Sequence, residues 1–283
     1  MTMDLTGIQA LCDQFAADSP WNYVSPEEAI SPELSGTRLF ESPLVGCSDP
    51  EDPLYLRLQR PEAVGPAFRP PAQWLPGAQS VLSFFFPFTE AVRQSNRGGA
   101  EPSALWLHGR IEGQRFLTRF AAFLADALEA QGIRAAAPGL SKDFRVNDVR
   151  AGEPFGSNWS ERHVAYISGL GTFSLSKGII TEKGMAGRLI SLVTDAPLPP
   201  TPRAYTELYE YCILCGACAR RCPVGAIVTE RGMEAGKAHR PCSDYQDEMA
   251  RRFAPRYGCG KCQVGIPCED KNPAALRRGQ GKA

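Results

Sequence analysis

Cys212, Cys215, Cys218 and Cys222 stand in one run, "YCILCGACARRCPVG", spaced x2, x2 and x3, with Pro223 directly after the fourth. Two-residue gaps let three thiolates converge from one tight loop onto three irons of a cubane. The fourth, carried off at the start of a helix, points to a different cluster. A [4Fe-4S] cluster takes four thiolates, so a run divided three and one requires four more. The chain supplies Cys242, Cys259, Cys262 and Cys268. The expected ligand sets are Cys212, Cys215, Cys218 and Cys268 for the first cluster, and Cys222, Cys242, Cys259 and Cys262 for the second. A pair of zinc sites competes, because CxxC pairs also suit Zn²⁺, yet consecutive two-residue gaps fit a tetrahedron poorly. Gly216 and Ala217 are small enough for the backbone to curl and aim its N–H groups at cluster sulfides. The two remaining cysteines read differently: Cys12 as a small buried hydrophobe on an apolar helix face, and Cys47 as a bland residue of a loop.

Reduction needs a proton as well as an electron. Asp148, Glu153, Glu161, His163 and Tyr166 cluster in "NDVRAGEPFGSNWSERHVAY". His163 titrates near neutrality without tuning, and Tyr166 can donate to a developing anion. Arg162 can hold a carboxylate or phosphate bidentately. The plainer alternatives are surface pairing for Glu161 and Arg162 and core packing for Tyr166. His108 is a weaker candidate, and so is His239, which lies near the second cluster as a hydrogen-bond donor. Trp106 and Trp159 read as packing residues.

These groups must be positioned by ordered elements. Leu5 to Phe15 places apolar residues at helical spacing. "SVLSFFFPF" (Ser80 to Phe88) and "GRLISLVTD" (Gly187 to Asp195) read as buried strands. Arg115 to Ile133 carries an apolar stripe and Gly132 as a C-cap, and "SERHVAYISGLG" opens a helix with Ser160 as N-cap. Residues 22–77 show little periodicity and read as a long excursion over the core. The first 205 residues thus form an α+β layer domain. Eight of the ten cysteines follow residue 211, and the proline-rich "TDAPLPPTPRAYTE" reads as the linker. The domains are therefore expected at 1–205 and 206–283.

Thirty-one basic and 31 acidic side chains balance to zero, which gives no nucleic-acid footprint. No apolar run is long enough to span a membrane, and the start lacks a secretory leader. A cytoplasmic, thiol-reducing setting is expected, where clustered cysteines hold metal.

The segments "ERHVAYISGLG" (Glu161 to Gly171), "SLVTDAPLPP", "CPVGAI", "CSDY" and "YGCGKCQ", taken with the cysteine run, resemble epoxyqueuosine reductases and, more distantly, corrinoid-dependent reductive dehalogenases. The resemblance implies a nitroreductase-like domain followed by a bacterial-type two-cluster ferredoxin domain. It implies a base-off cobalamin between them and electrons supplied by a flavodoxin or ferredoxin. It gives Gly169 and Gly171 a role in close backbone approach to that cofactor, beside which Glu161, His163 and Tyr166 are the candidates for proton transfer by their own chemistry. Three departures stand out. Ile266 occupies the place of the usual last cysteine, so Cys268 must reach the cluster by a wider loop. Phe155 stands where an acidic proton donor is expected. The chain ends at Ala283 with no helical-repeat extension, so a small or nucleoside-like substrate is expected rather than tRNA. A non-catalytic electron carrier and a corrinoid-reducing partner protein are the alternatives.

Overall fold

The structure is a computed structural model and describes residues 3–275. The ends of the expected domains, residues 1–2 and 276–283, lie outside the described residues.

Helix α1 (Leu5–Asp18) starts where the Asp4 carboxylate accepts the Gly7 amide at 2.8 Å. Its Ile8, Cys12 and Ala16 are fully buried. Strand β1 (Leu44–Ser48) follows, then the short helix α2 (Pro53–Arg57), strand β2 (Ser80–Pro87) and helix α3 (Glu90–Ser95). Cys47 thus lies in a strand rather than in a loop, and the segment 22–77 is not simply an excursion. Gly46 hid the strand by interrupting its apolar pattern. It is needed there because a Cβ would sit 2.3 Å from the Ser168 carbonyl oxygen. Every residue of β2 is buried, because both faces of the sheet are covered, so its pattern is continuous rather than alternating.

Helix α4 (Ala104–Glu129) is the longest element and begins eleven residues earlier than its apolar stripe suggests. Ser103 caps it, its hydroxyl accepting the Trp106 amide at 3.1 Å. Gly109 and Gly113 conceal the first turns. Each leaves room for a ring: a Cβ would stand 2.8 Å from Phe88 at Gly109, and 2.8 Å from Phe40 at Gly113.

After the two-residue β3 (Ala135–Ala136) come α5 (Glu161–Ile167), β4 (Gly171–Phe173), β5 (Ile179–Thr181) and β6 (Gly187–Thr194). The main sheet has the order β1-β2-β6-β3, with every pair antiparallel. Strands β4 and β5 form a separate two-stranded sheet. One face of the main sheet meets α1 and α4 through Leu82, Phe84, Phe86, Phe116 and Phe120. The other meets α5 through Val81, Val193, Trp159 and Val164. The fold is therefore α+β with helices on both faces of one sheet. β3 pairs with β6 only at Val193 and Thr194, which leaves the Gly187–Ile190 stretch of β6 open on that edge.

The cysteine-bearing segment includes the helices α6 (Ala217–Arg220), α7 (Gly232–Ala235) and α8 (His239–Phe253). It is tied firmly to the preceding residues. The buried Lys261 ammonium donates to the carbonyls of Asn96 at 3.0 Å and Gly98 at 2.6 Å. Glu269 pairs with Arg97 at 2.7 Å, and Arg256 with Glu112 at 2.6 Å. The Met185 amide donates to the Cys268 carbonyl. Among the described residues no helix is long and apolar enough to cross a membrane.

Candidate functional site

The loop Tyr211–Cys222 curls because two residues adopt positive φ, Leu214 at 49° and Gly216 at 68°. Left-handed residues in so tight a loop favour N–H groups turned toward its centre, a geometry suited to anionic sulfur. Cys212, Cys215 and Cys218 line a small cavity of about 20 Å³, closed by Cys268, Met185, Ile180 and Ile266. Cys268 arrives by the wider loop. Pro267 precedes it, Ile266 is buried in the surrounding apolar cluster, and the Gly265 amide donates to the Glu269 carboxylate at 2.5 Å. Burial pushes the Cys268 thiol up, and its neighbours Cys212, Cys218 and Cys215 push it further. Cys218 is pushed up to about 12 by burial and then by Cys262, Cys212 and Cys215.

A second set forms behind the first. Cys259 is raised to about 11 by burial and then by Cys262, Cys242 and Cys222. Cys262 is raised by burial, with Cys242 and Cys222 adding to it. Helix α8 contributes Cys242 to this set, with Gln246 and Met249 at i+4 and i+7 on the same face. The Gln246 amide approaches the Cys242 sulfur at 3.8 Å, and the Ala226 amide donates to the Cys222 sulfur at 3.2 Å. Cys262 also acts on Cys218, so the two sets adjoin. Crowded, desolvated thiols keep their protons, and metal must displace them. Among the described residues no three His, Cys, Asp or Glu side chains converge on a single-ion site. Cys12 and Cys47 are both fully buried and stand apart from either set.

The second set faces open space. Cys242, Cys259 and Cys262 form part of the wall of a cavity of about 730 Å³, within the size range of small-molecule and cofactor sites. The open stretch of β6 forms another wall. A third is the row Trp106, Arg110, Gln114 and Thr118 on α4, each four residues from the last. Gly260 brings the backbone against that row: a Cβ there would lie 1.9 Å from the Trp106 ring. This row was illegible in the sequence because it runs on the polar side of the helix, where it imitates a solvated face. Its regular four-residue spacing beside two glycines is the one signal that could have pointed to it.

The expected site residues divide. Glu161 and Arg162 line the cavity, whereas His163, Tyr166, Gly169 and Gly171 do not. Burial raises Glu161 to about 7, with the neighbouring Ser191 hydroxyl and Trp159 indole pulling it partly back. Its Oε2 is buried without a hydrogen-bond partner. Arg162 donates to the Lys177 carbonyl at 2.8 Å and keeps an accessible surface. That surface borders the cavity, so desolvation still lowers its pKa, while Cys262 and Cys242 oppose the shift. His163 falls to about 4, through burial and then the Arg162 charge, and is neutral near pH 7. It shares a hydrogen bond with the Ser160 hydroxyl at 2.8 Å and packs on Phe173, so Ser160 stands at the N-cap position without capping by its side chain. Tyr166 donates to the Thr206 carbonyl at 3.3 Å and packs against Tyr205. The glycines answer to the chain itself: a Cβ at Gly171 would strike the Ile180 carbonyl oxygen at 1.9 Å, and Gly169, at φ +82°, lies against Thr201.

The remaining candidates lie apart. His108 accepts the Ile30 amide at 3.1 Å and stands 3.3 Å from Glu112 inside the fold. The exposed Phe155 ring stacks on His239 at 5.4 Å. Asp148 and Glu153 belong to a turn in which Glu153 accepts the Asp148 amide at 2.7 Å.

Residues 206–228 match the family of 4Fe-4S binding domains. No curated protein sequence matches the chain. Among solved structures, the chain is similar to an epoxyqueuosine reductase bound to a tRNA-Tyr epoxyqueuosine-modified stem loop. Identity is 19% and the TM-score 0.49, over 80% of this chain and 61% of that one. For the epoxyqueuosine reductase of Bacillus subtilis the values are 18%, 0.48, 81% and 62%. A reductive dehalogenase whose structure suggests a mechanism for B12-dependent dehalogenation overlays with 15% identity and a TM-score of 0.52, over 84% of this chain and 31% of that one. The chain thus spans under two thirds of the first reductase and about a third of the dehalogenase. It shares a fold with the latter and carries a 4Fe-4S binding segment.

Proposed function

We propose that this iron–sulfur protein is a reductase. It holds two [4Fe-4S] clusters and a corrinoid, cobalamin, and acts in the cytoplasm on a small or nucleoside-like substrate. Residues 1–205 form its nitroreductase-like part and 206–283 its two-cluster ferredoxin-like part. Cys212, Cys215, Cys218 and Cys268 hold one cluster, and Cys222, Cys242, Cys259 and Cys262 the other. The observation that carries the reading is that the second thiol set walls the large cavity while the first reaches the surface at the exposed Cys215. A flavodoxin or ferredoxin docks at that outer edge.

The cavity suits a large flat cofactor. Phe85, Phe88, Trp106, Leu189 and Ile190 supply apolar walls, the open edge of β6 supplies main-chain donors and acceptors, and Gly260 keeps one side clear of side chain. Bound there, a corrinoid supplies a low-potential metal centre for reduction of the substrate. Arg162 orients an acidic or amide group of the bound molecule. Glu161 holds a proton at its unpartnered Oε2 near neutral pH and is the donor that Phe155 cannot be. His163, neutral and buried behind them, helps set the start of α5. The aromatic and aliphatic walls exclude water, which strengthens each of these interactions.

Anaerobic purification, metal analysis and titration with cobalamin test the proposal. About eight irons per chain, no zinc, and a shift of added cobalamin toward its base-off spectrum are expected. Eight irons with no corrinoid response would instead assign the chain to electron carriers.

A further inference from the structure

Four cations stand on the cavity wall, and they are not equivalent. Arg162 and Lys237 lie beside the second thiol set. Cys262 and Cys242 favour the charged form of Arg162, and Lys237 opposes the rise of the Cys262 thiol. Thiolates and the cluster they hold are negative, so these two cations already have their counter-charge.

Arg110 and Arg188 have none. Arg188 lies against Gly113 and donates from Nη2 to the Gln114 side-chain oxygen, while its Nε is buried with no acceptor. Burial and then the Arg110 charge lower it to about 9. Arg110 donates to the Tyr257 hydroxyl at 3.1 Å and lies 4.8 Å over that ring. Among the described residues no carboxylate pairs with either guanidinium. Two other sheltered arginines do have carboxylates: Arg256 meets Glu112 at 2.6 Å, and Arg93 meets Glu269 at 3.4 Å. Two like charges confined in a walled space, with a donor left over, are costly until an anion joins them.

We infer that Arg110 and Arg188, with Gln114 and Tyr257 beside them, form a subsite for a compact oxyanion, a carboxylate or phosphate, of the molecule that the cavity binds. Guanidinium forks match such groups geometrically as well as electrically. The inference deepens the reductase reading and rests on the cavity being its reaction chamber; it requires that a molecule bound there carry an acidic group, as an acidic substrate would. The same chemistry is presented by the phosphate in the nucleotide tail of a cobalamin.

Melting of the anaerobically purified full chain separates these sources, with inorganic phosphate, benzoate, cobalamin and cobinamide (which lacks the nucleotide phosphate) as separate probes. Wild type should bind phosphate or benzoate, and Arg188→Gln should bind them at least about tenfold more weakly. Ligand-free Arg188→Gln should melt no lower than wild type, since a repulsive contact is gone. Arg188→Lys, which keeps charge and loses the fork, should recover only part of the binding. Loss confined to phosphate and benzoate assigns the oxyanion to substrate. Weaker cobalamin binding with cobinamide unaffected assigns it to the cofactor tail. Either result supports the subsite, and Arg110→Gln repeats the test should Arg188→Gln not fold. Equal anion binding by wild type and both variants, or none by wild type, overturns the subsite. A full iron count and a corrinoid response in that same preparation leave the reductase reading standing, and their absence overturns that reading instead.

Discussion

The two thiol sets share ligand chemistry and differ in surroundings. The first closes on a space of about 20 Å³ among Ile180, Met185 and Ile266, and touches solvent at Cys215. The second borders a cavity of about 730 Å³ with Arg162 and Lys237 on its wall. An apolar, nearly filled surround suits a relay that must not react, whereas charged walls and open space suit the place where chemistry happens. The two thiol sets are thus told apart by what the chain packs beside them.

The largest effect that separates them is loss of ligand. Cys262→Ser and Cys268→Ser should each retain about half the iron, roughly four atoms per chain. Cys268→Ser should still reduce an added acceptor with dithionite and fail with a protein donor, and Cys262→Ser should fail with both. Identical behaviour of the two variants would erase the distinction drawn between the sets.

Next comes the backbone approach to the cavity. Gly260→Ala places a Cβ 1.9 Å from Trp106 at φ +66°. It should cost about 2–5 kcal/mol in denaturant unfolding, from left-handed strain and overpacking together. The corresponding Gly216→Ala at the first set, where the nearest atom lies 3.1 Å away, should cost less.

Glu161 adds a pH dependence to the cavity side. Its folded pKa is raised from 4.5 to about 7, so the folded state holds the proton more tightly than the unfolded chain does. Stability is therefore lost as pH rises from about 4.5 to 7. Glu161→Gln should abolish that slope, leaving the variant about 3 kcal/mol more stable than wild type at pH 8 and nearly equal to it below pH 4.5. Melts of both proteins across that range measure it, and parallel curves would show that Glu161 is not held neutral. The smallest effect belongs to the outer edge. Leu214→Gly, at an exposed residue with φ 49°, should change stability by less than about 1 kcal/mol, leave the iron count intact, and speed iron loss in air.

Much of the fold was written locally. Strands β2 and β6 and helix α1 are legible because continuous apolar runs and helical spacing answer to burial alone. β1 was not, since Gly46 serves a contact with Ser168 more than a hundred residues away. The first turns of α4 were hidden for the same reason, by glycines that seat Phe40 and Phe88. Within the candidate site, Glu161 and Arg162 were legible as chemistry-bearing types. His163 and Tyr166 were equally suggestive by type and yet sit off the cavity, since one turn of helix sends neighbours in different directions.

Cysteine count and spacing alone determine that this chain gathers thiols into sets, because ligands two or three residues apart leave the backbone few ways to arrange them. Which set faces the cavity, that Arg110 and Arg188 stand there without counter-charge, and that burial raises the Glu161 carboxyl depend on segments far apart in the chain. Burial and electrostatic fields are properties of what surrounds a group, and only the tertiary structure brings those surroundings together.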